Sequence, residues 1–248
     1  MEDLEESIRV ARQAVNATSR IPFLGGRLAT LGNLLSERFS AIGTLGDLDE
    51  AIQVTREAID TTPDSHHSYH AGFLNNLGYL LLQAYERKRM MTDLEEAILV
   101  TQKAIDMTSG RLDRAKSLDT LARLLNHIYL ATGVVADLDE AIRIGQEIVK
   151  TTPNIYRERG DWLNNLGIHL QQRYKRTGLI ADIDEAIRAG DEAINIDPEN
   201  MIWWNSLTSG LGERYLRTGQ LADLEEAIQI TCELVEKTPS KHTRNFSY

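Results

Sequence analysis

The sequence has very little cysteine, proline or aromatic content, and it has no long apolar run. Its 248 residues include one cysteine, five prolines and 6% aromatic residues. A lone cysteine, Cys232, cannot form an internal disulfide, and the opening residues MEDLEESIRV lack the apolar core of a signal peptide. No apolar stretch approaches the roughly 20 residues of a membrane-spanning helix. These absences predict a reduced, cytoplasmic protein that does not span a membrane.

Positive charge is also scarce. The chain carries 27 lysines and arginines against 37 aspartates and glutamates, which gives a net charge of −10. Nucleic acids and anionic membranes attract proteins through positive surfaces. The charge therefore argues against both as partners and favours a basic or neutral protein segment.

A six-residue segment, DLDEAI or a near copy, recurs six times. The copies begin at residues 3, 47, 93, 137, 182 and 223, in steps of 44, 46, 44, 45 and 41 residues. A period of this length is typical of stacked helical repeats, in which each unit buries its apolar face only against its neighbours. We interpret residues 1–248 as a single repeat array whose repeat-start helices lie at these six positions.

Each copy also has the spacing of a capped helix start. An N-cap aspartate accepts a hydrogen bond from a nearby backbone N–H, and a glutamate three residues later reaches back to the cap's own N–H. Clustered carboxylates are also typical of magnesium or calcium sites. Because the segment always precedes an apolar helical stripe, we interpret it as a capping box. The pairs concerned include Asp47 and Glu50, Asp137 and Glu140, and Asp182 and Glu185.

Two kinds of helix are predicted to alternate. Helix B starts at each copy, and its fourth core position is always small, which predicts close approach of a neighbouring helix. A longer helix A is predicted at residues 27–42, 69–88, 114–132, 156–177 and 200–218, with a Leu-Gly or similar pair at its centre. The small B positions are Ala11, Thr55, Thr101, Gly145, Gly190 and Thr231, and the aromatics seven residues after the A-helix pair, predicted to be core, are Phe39, Tyr85, Tyr129, Tyr174 and Tyr215.

Four of the five A helices are predicted to end at a glycine, which adopts the left-handed conformation after a helix without strain. These are Gly43, Gly133, Gly178 and Gly219. The second A helix has Arg89 instead, and we interpret this place as a strained or solvated turn, with a local basic contact site as the alternative.

The segment from Leu163 to Ile187 reads L-x-x-L-G-x-x-L-x-x-R-Y-x-x-T-G-x-x-x-D-I-D-E-A-I. It resembles a tetratricopeptide repeat of the long-period kind found in kinesin light chains and in fungal proteins with a CHAT or a nucleotide-binding signalling domain. This resemblance covers nearly the whole chain. It implies an all-α fold, a right-handed α-solenoid (superhelix) of antiparallel helix pairs.

In tetratricopeptide arrays the A helices line the concave face, where partner segments bind close to the Leu-Gly pair. The resemblance therefore implies a groove that binds a peptide or protein partner, and its amides suit an extended backbone. A merely solvated inner face is the alternative. The positions carried over are Asn33, Asn75, Asn76, Tyr79, Lys116, Arg123, Asn126, Asn164, Asn165, Gln171 and Asn205.

Residues suited to catalysis are sparse. His66, His67 and His70 have metal-like spacing without a nearby cysteine, Cys232 has no paired base in any motif, and a phosphate-binding loop is absent. Trp203 is expected to be exposed at an interface or to fill the core, whereas Trp204 takes an anchor position. We predict no cofactor, no metal and no enzyme activity.

The sequence therefore predicts a non-catalytic interaction scaffold or recognition module. Self-association through the terminal repeats, or a regulatory role within a larger CHAT or nucleotide-binding signalling protein, is the alternative. An enzyme with a carboxylate and histidine pocket in the groove is the alternative of another class, since a fold does not determine a function.

Overall fold

The computed structural model describes residues 2–18, 21–62 and 67–237. This part of the chain contains eleven α-helices and no β-strand. The chain divides into two compact units, residues 1–133 and residues 134–248. The first unit contains α1 (Glu2–Asn16), α2 (Ile21–Ile42), α3 (Leu45–Asp60), α4 (His67–Lys88), α5 (Met91–Met107) and α6 (Arg111–Thr132); the second contains α7 (Val135–Thr151), α8 (Arg159–Thr177), α9 (Ile180–Ile196), α10 (Met201–Thr218) and α11 (Leu221–Lys237).

The odd-numbered helices are the predicted B helices and the even-numbered ones the predicted A helices. Every A helix ends at its predicted residue. The four glycines that follow have φ between +72° and +81°, as their sequence positions predicted. Arg89 shares this conformation with φ +57°, and its guanidinium lies 5.6 Å from the centre of the Tyr85 ring. The interpretation of a strained turn at Arg89 is confirmed.

The predicted small positions do allow close helix approach. A Cβ atom added to Gly78 of α4 would lie 2.2 Å from Thr101 Oγ1 of α5, and one added to Gly32 of α2 would lie 2.8 Å from Thr55 Oγ1 of α3. In the second unit, a Cβ on Gly190 would lie 3.3 Å from the Leu207 Cβ. The small residues therefore set the spacing between neighbouring helices.

Each unit has its A helices close together and its B helices farther apart. The backbones of α2 and α4, of α4 and α6, and of α8 and α10 approach within 8 Å of each other. Among the described residues, no such approach joins one B helix to the next within a unit. Long side chains bridge the B helices instead, in the pairs Arg12–Glu50 (2.7 Å), Arg56–Glu96 (2.7 Å) and Gln146–Glu185 (2.8 Å).

The capping prediction is wrong. Helix α3 begins at Leu45, two residues before Asp47, and its N-cap is Thr44, whose side chain makes no capping hydrogen bond. The starts of α5, α7 and α9 likewise lie two residues before the motif aspartate and lack a side-chain cap. The helix continues upstream because the backbone N–H of Asp47 bonds to the Thr44 carbonyl at 3.0 Å. The aspartate is thus inside the first turn.

Three motif aspartates are bound by an arginine nine residues earlier. Arg173 on α8 places Nε 2.9 Å from Asp182 Oδ2 and Nη2 2.7 Å from Asp182 Oδ1. Such bidentate ion pairs are stronger than single hydrogen bonds. Because the aspartates are buried, the arginine also compensates their desolvation. The same pairing joins Arg38 to Asp47 and Arg214 to Asp223.

Arg173 and Arg214 also bond to a third helix. Arg173 Nη1 lies 3.0 Å from Asp139 Oδ1 on α7, so one guanidinium joins α7, α8 and α9. Arg214 Nη1 makes the equivalent bond to Asp184, at 2.8 Å, and joins α9, α10 and α11. The first and third residues of the D-x-D motif therefore bind the A helices on either side of their own B helix.

Of the two alternatives for Trp203, core filling is the one observed. Trp203 is buried, and its ring fills the space that a Cβ on Gly160 would occupy, 2.1 Å from Cη2. Trp204 is half-buried, and its indole N–H donates to the Pro198 carbonyl at 2.8 Å. The absence of a side chain at Gly160, 43 positions earlier, leaves the space that the Trp203 ring occupies.

Candidate functional site

The polar face of the A helices in the first unit is the candidate site. On α4, residues three or four apart place Tyr69, Gly72, Asn76 and Tyr79 on one stripe. Tyr69 and Gly72 are exposed, and Asn76 is half-buried. Because the A helices lie close together, stripes from α2, α4 and α6 meet along this face.

A cleft of about 290 Å³ opens between these helices and the end of α5. Its apolar surface comes from residues such as Ala29, Ala71, Phe73 and Met107. Its polar residues are Asn33, Asn75, Asn76, Thr108, Ser109, Asp113, Lys116 and Ser117, with Tyr69 and the glycines Gly72 and Gly110 completing the lining. Four of the predicted groove residues, Asn33, Asn75, Asn76 and Lys116, thus line one cleft.

The asparagines of the cleft also join neighbouring repeats. Asn76 Nδ2 donates to Asn33 Oδ1 at 3.0 Å, which links α4 to α2. The Thr120 hydroxyl donates to Asn75 Oδ1 at 3.4 Å, which links α6 to α4. Part of the amide capacity is therefore used to hold the helices together, and the remaining groups are the ones that can meet a ligand. The sequence pattern contained no sign of these cross-repeat bonds.

A second polar group lies farther along α4 and α6. The Arg123 guanidinium lies 5.4 Å from the Tyr79 ring centre and 3.7 Å from Glu86 Oε1. His127 Nε2 donates to the same carboxylate at 3.1 Å. This hydrogen bond lowers the pKa of Glu86, whereas partial burial raises it and Arg123 lowers it further. Tyr79 and Arg123 are thus brought together as part of an ion-pair network.

Three predicted groove residues are buried. Asn126 on α6 is 7% exposed, and its Oδ1 has no hydrogen-bond partner among the described residues. Asn164 on α8 is buried in the same way. Gln171 donates through Nε2 to the Ser206 carbonyl at 3.0 Å, which links α8 to α10. Their position next to the Leu-Gly pair therefore does not place them on an accessible surface.

The remaining two predicted residues lie in the second unit. Asn165 is half-buried on α8, and Asn205 is exposed on α10. Two cavities of this unit, of about 660 and 460 Å³, lie where the α7–α8 connector meets the end of α9 and the α9–α10 connector, and neither is lined by Asn164, Asn165, Gln171 or Asn205. The candidate site therefore belongs to residues 1–133.

Among the described residues, neither histidine nor cysteine lines this cleft. Nowhere in the described ranges do three histidine, cysteine or carboxylate side chains gather as a metal site would require. His66 lies outside the described residues, and His70 Nε2 is 2.7 Å from the Thr62 carbonyl oxygen. Cys232 is free and exposed on α11. Across residues 2–18, 21–62 and 67–237, no helix has the length and apolarity needed to cross a bilayer.

Comparison with known proteins identifies the fold but gives no match by sequence. No protein-family model and no curated protein matches the chain. Among solved structures, BtubC (BKLC) from P. vanneervenii is similar with a TM-score of 0.58 and 18% identity, over 96% of this chain and 92% of BtubC. A proposed kinesin light chain of Podosopora anserina with nearly identical TPR-like repeats has a TM-score of 0.57 and 17% identity, over 85% of this chain and 97% of its own.

MamA from Desulfovibrio magneticus RS-1 is similar as well, with a TM-score of 0.51 and 15% identity over 87% of this chain and 98% of its own. All these similarities extend over most of both chains, and they agree with the alternating A and B helices described above. The chain therefore has the fold of tetratricopeptide-type helical repeat proteins.

Proposed function

We propose that this chain is a non-catalytic protein-interaction module of the cytoplasm, and that it binds an extended peptide segment in the cleft between α2, α4 and α6. The observation that carries the proposal is the convergence of four predicted groove residues, Asn33, Asn75, Asn76 and Lys116, on one cleft. Amide side chains both donate and accept, as the backbone of an extended peptide requires.

The hydrogen bonding of the cleft supports this proposal. Asn33 and Asn76 each use one amide group on the other, and Asn75 accepts only the long bond from Thr120. The second amide group of each asparagine has no partner among the described side chains. Lys116 adds a positive charge, and Ser109 and Ser117 add hydroxyls to the lining. The cleft thus has the mixed donors and acceptors that recognise a peptide chain rather than one small polar molecule.

A peptide library selected against the intact chain tests the proposal. We expect the selected peptides, measured by calorimetry, to bind the triple variant Asn33→Ala/Asn75→Ala/Lys116→Ala at least tenfold more weakly than the wild type. Asn205→Ala removes an exposed asparagine of α10 and should leave the affinity unchanged. Equal binding to the wild type and the triple variant, with circular dichroism showing both folded, would contradict the proposal.

Self-association is the second candidate, because α11 exposes a face that is covered in α9. Ile228 and Val235 on α11 are 54% and 69% exposed, whereas their equivalents on α9, Ile187 and Ile194, are 6% and 7% exposed under α10. Exposed apolar patches are common at interfaces between proteins. We expect sedimentation to show a dimer of the wild type and a monomer of the Ile228→Glu/Val235→Glu variant. A wild type that is monomeric at high concentration excludes this role.

A further inference from the structure

We infer that the cleft selects its partner through one large apolar side chain, aliphatic or aromatic, which the partner inserts over Gly72. This inference rests on the proposed function and specifies the kind of segment that the cleft accepts. Gly72 is an exposed glycine in the interior of α4 and lines the cleft. A glycine in mid-helix is unfavourable by itself, so the notch it leaves is a feature that helix propensity does not explain.

The space above Gly72 is empty. A Cβ atom built on Gly72 would meet no atom within 4 Å, whereas one built on Gly78, two turns later in the same helix, would meet Thr101 Oγ1 at 2.2 Å. The glycine at position 78 is thus required by packing against α5. The one at position 72 makes no such contact, and the room it leaves opens into the cleft.

The lining of the cleft suits an apolar side chain held at its polar edge by a peptide backbone. Phe73, Ala71 and Ala29 are buried apolar residues that reach the cleft with 8%, 4% and 7% of their surface exposed. Tyr69, one turn before Gly72, is 63% exposed, and its ring centre lies 6.4 Å from that of Phe73. An inserted apolar side chain would cover this aromatic pair, and the rings offer it a large apolar contact area.

The volume of the cleft limits the number of inserted side chains. At about 290 Å³, it lies at the lower end of pockets that hold drug-sized molecules. One large side chain therefore fills it, while the neighbouring residues of the partner lie along Asn33, Asn75 and Asn76. The predicted partner is an extended segment with a single Leu, Ile, Met, Phe, Tyr or Trp anchor rather than an amphipathic helix with several anchors.

The test uses the intact chain and the peptides selected against it. Alanine replacement along a bound peptide should find one apolar position whose loss weakens binding at least tenfold, as expected for an apolar side chain that becomes buried. The variant Gly72→Leu fills the notch and should weaken binding of the same peptide at least tenfold. Gly46→Leu is the matched control, because Gly46 is also exposed with no atom within 4 Å of a Cβ, but it lies on α3 outside the cleft.

Repeating the selection on Gly72→Leu gives an independent readout. We expect the anchor position of the selected peptides to change from a large apolar residue to glycine, alanine or serine. Peptides that bind the wild type without an apolar anchor, or that bind Gly72→Leu and Gly46→Leu equally, would overturn this inference and leave the proposed function standing. Failure to select any peptide would overturn both this inference and the proposed function. Binding of small apolar compounds alone would also overturn both, because it would assign the notch to a ligand of another class.

Discussion

At the scale of single residues, three of the motif aspartates are paired with an arginine of the preceding A helix. The hydrogen bonds that Arg173 donates to Asp182, with a smaller contribution from the one to Asp139, raise its pKa above the ordinary value, although partial burial opposes the shift. The sequence does contain a sign of these pairs, since an arginine followed by Phe or Tyr precedes Asp47, Asp182 and Asp223 by nine residues. The capping interpretation missed it because a capping aspartate and an aspartate in the first turn have the same local sequence.

The Arg173 ion pair is predicted to contribute strongly to stability. Arg173→Ala leaves Asp182 buried and unpaired, which should lower the free energy of unfolding by about 3–5 kcal/mol. Arg143→Ala, which breaks an ion pair with Glu140 at a well-exposed position of α7, should change it by less than about 1 kcal/mol. Urea unfolding of both variants measures the difference. Similar losses in the two would show that burial of the aspartate is not decisive.

The hydrogen bond between His127 and Glu86 is predicted to make the stability of the fold depend on pH in the acid range. Since the folded pKa of Glu86 is lowered, the stabilisation that Glu86 provides is fully present above its unfolded pKa and is lost as the pH falls through the folded value. His127→Phe removes the main cause of the shift. We expect the pKa of Glu86, followed by NMR, to rise in this variant, and the difference in unfolding free energy between wild type and variant to shrink below about pH 4. An unchanged Glu86 pKa would contradict the assignment.

The exposure of the asparagines could not be predicted from the sequence, although the helix face on which they lie could. The repeat pattern predicted a shared face for Asn33, Asn75 and Asn76, because helical periodicity determines the face of a residue, and these three residues line one cleft. It could not distinguish them from Asn126 and Asn164, which are buried, because exposure depends on the neighbouring A helix rather than on the position within the repeat. The same holds for Trp203, whose burial depends on Gly160.

At the scale of helices, C-terminal ends were far more predictable than N-terminal ends. The glycine after an A helix ends it through its positive φ, so Gly178 terminates α8 wherever the helix begins. The start of α8 lies at Arg159 rather than at 156, since the preceding residues form turns instead. A start without a side-chain cap leaves no equivalent mark in the sequence, and α3, α5, α7, α9 and α11 accordingly begin two residues earlier than predicted.

Two glycines of α4 are predicted to respond to the same substitution in opposite ways. Gly78→Ala pushes a methyl group into Thr101, which should cost about 1–3 kcal/mol of unfolding free energy, offset by about 1 kcal/mol of helix propensity. Gly72→Ala meets no atom and should gain up to about 1 kcal/mol. Thermal unfolding of the two variants provides the measurement. A gain at both positions would show that α5 can move to accept the added methyl group.

At the scale of the whole chain, charge is separated by helix type. The six B helices contain 27 acidic and 8 basic residues, whereas the five A helices contain 14 basic and 6 acidic ones. The B helices therefore carry a net charge of −19 and the A helices one of +8, so the net charge of −10 for the chain does not describe the A-helix face. The expectation of a basic or neutral partner relied on that net charge, and for a partner that binds the A-helix face the charge of the A helices is the relevant one.

The first compact unit is predicted to fold on its own. A continuous cluster of buried residues extends from Ile8 on α1 to Leu124 on α6, entirely within residues 1–133. A fragment of residues 1–133 should therefore be helical by circular dichroism, bind the selected peptides with the affinity of the full chain, and show a thermal unfolding transition. A fragment that is unfolded in isolation would show that the core of this unit depends on residues beyond 133.

Arg173, which links α7, α8 and α9, affects how the second unit unfolds. In an array held only by contacts between adjacent helices, helices could fray from an end one at a time, each loss independent of the next. Arg173 bonds to Asp139 on α7 and to Asp182 on α9. Local unfolding of either B helix therefore breaks an ion pair of the same guanidinium. Arg214 extends the link to α11. Opening should thus occur in steps larger than one helix, and hydrogen exchange should report similar protection in α7, α9 and α11.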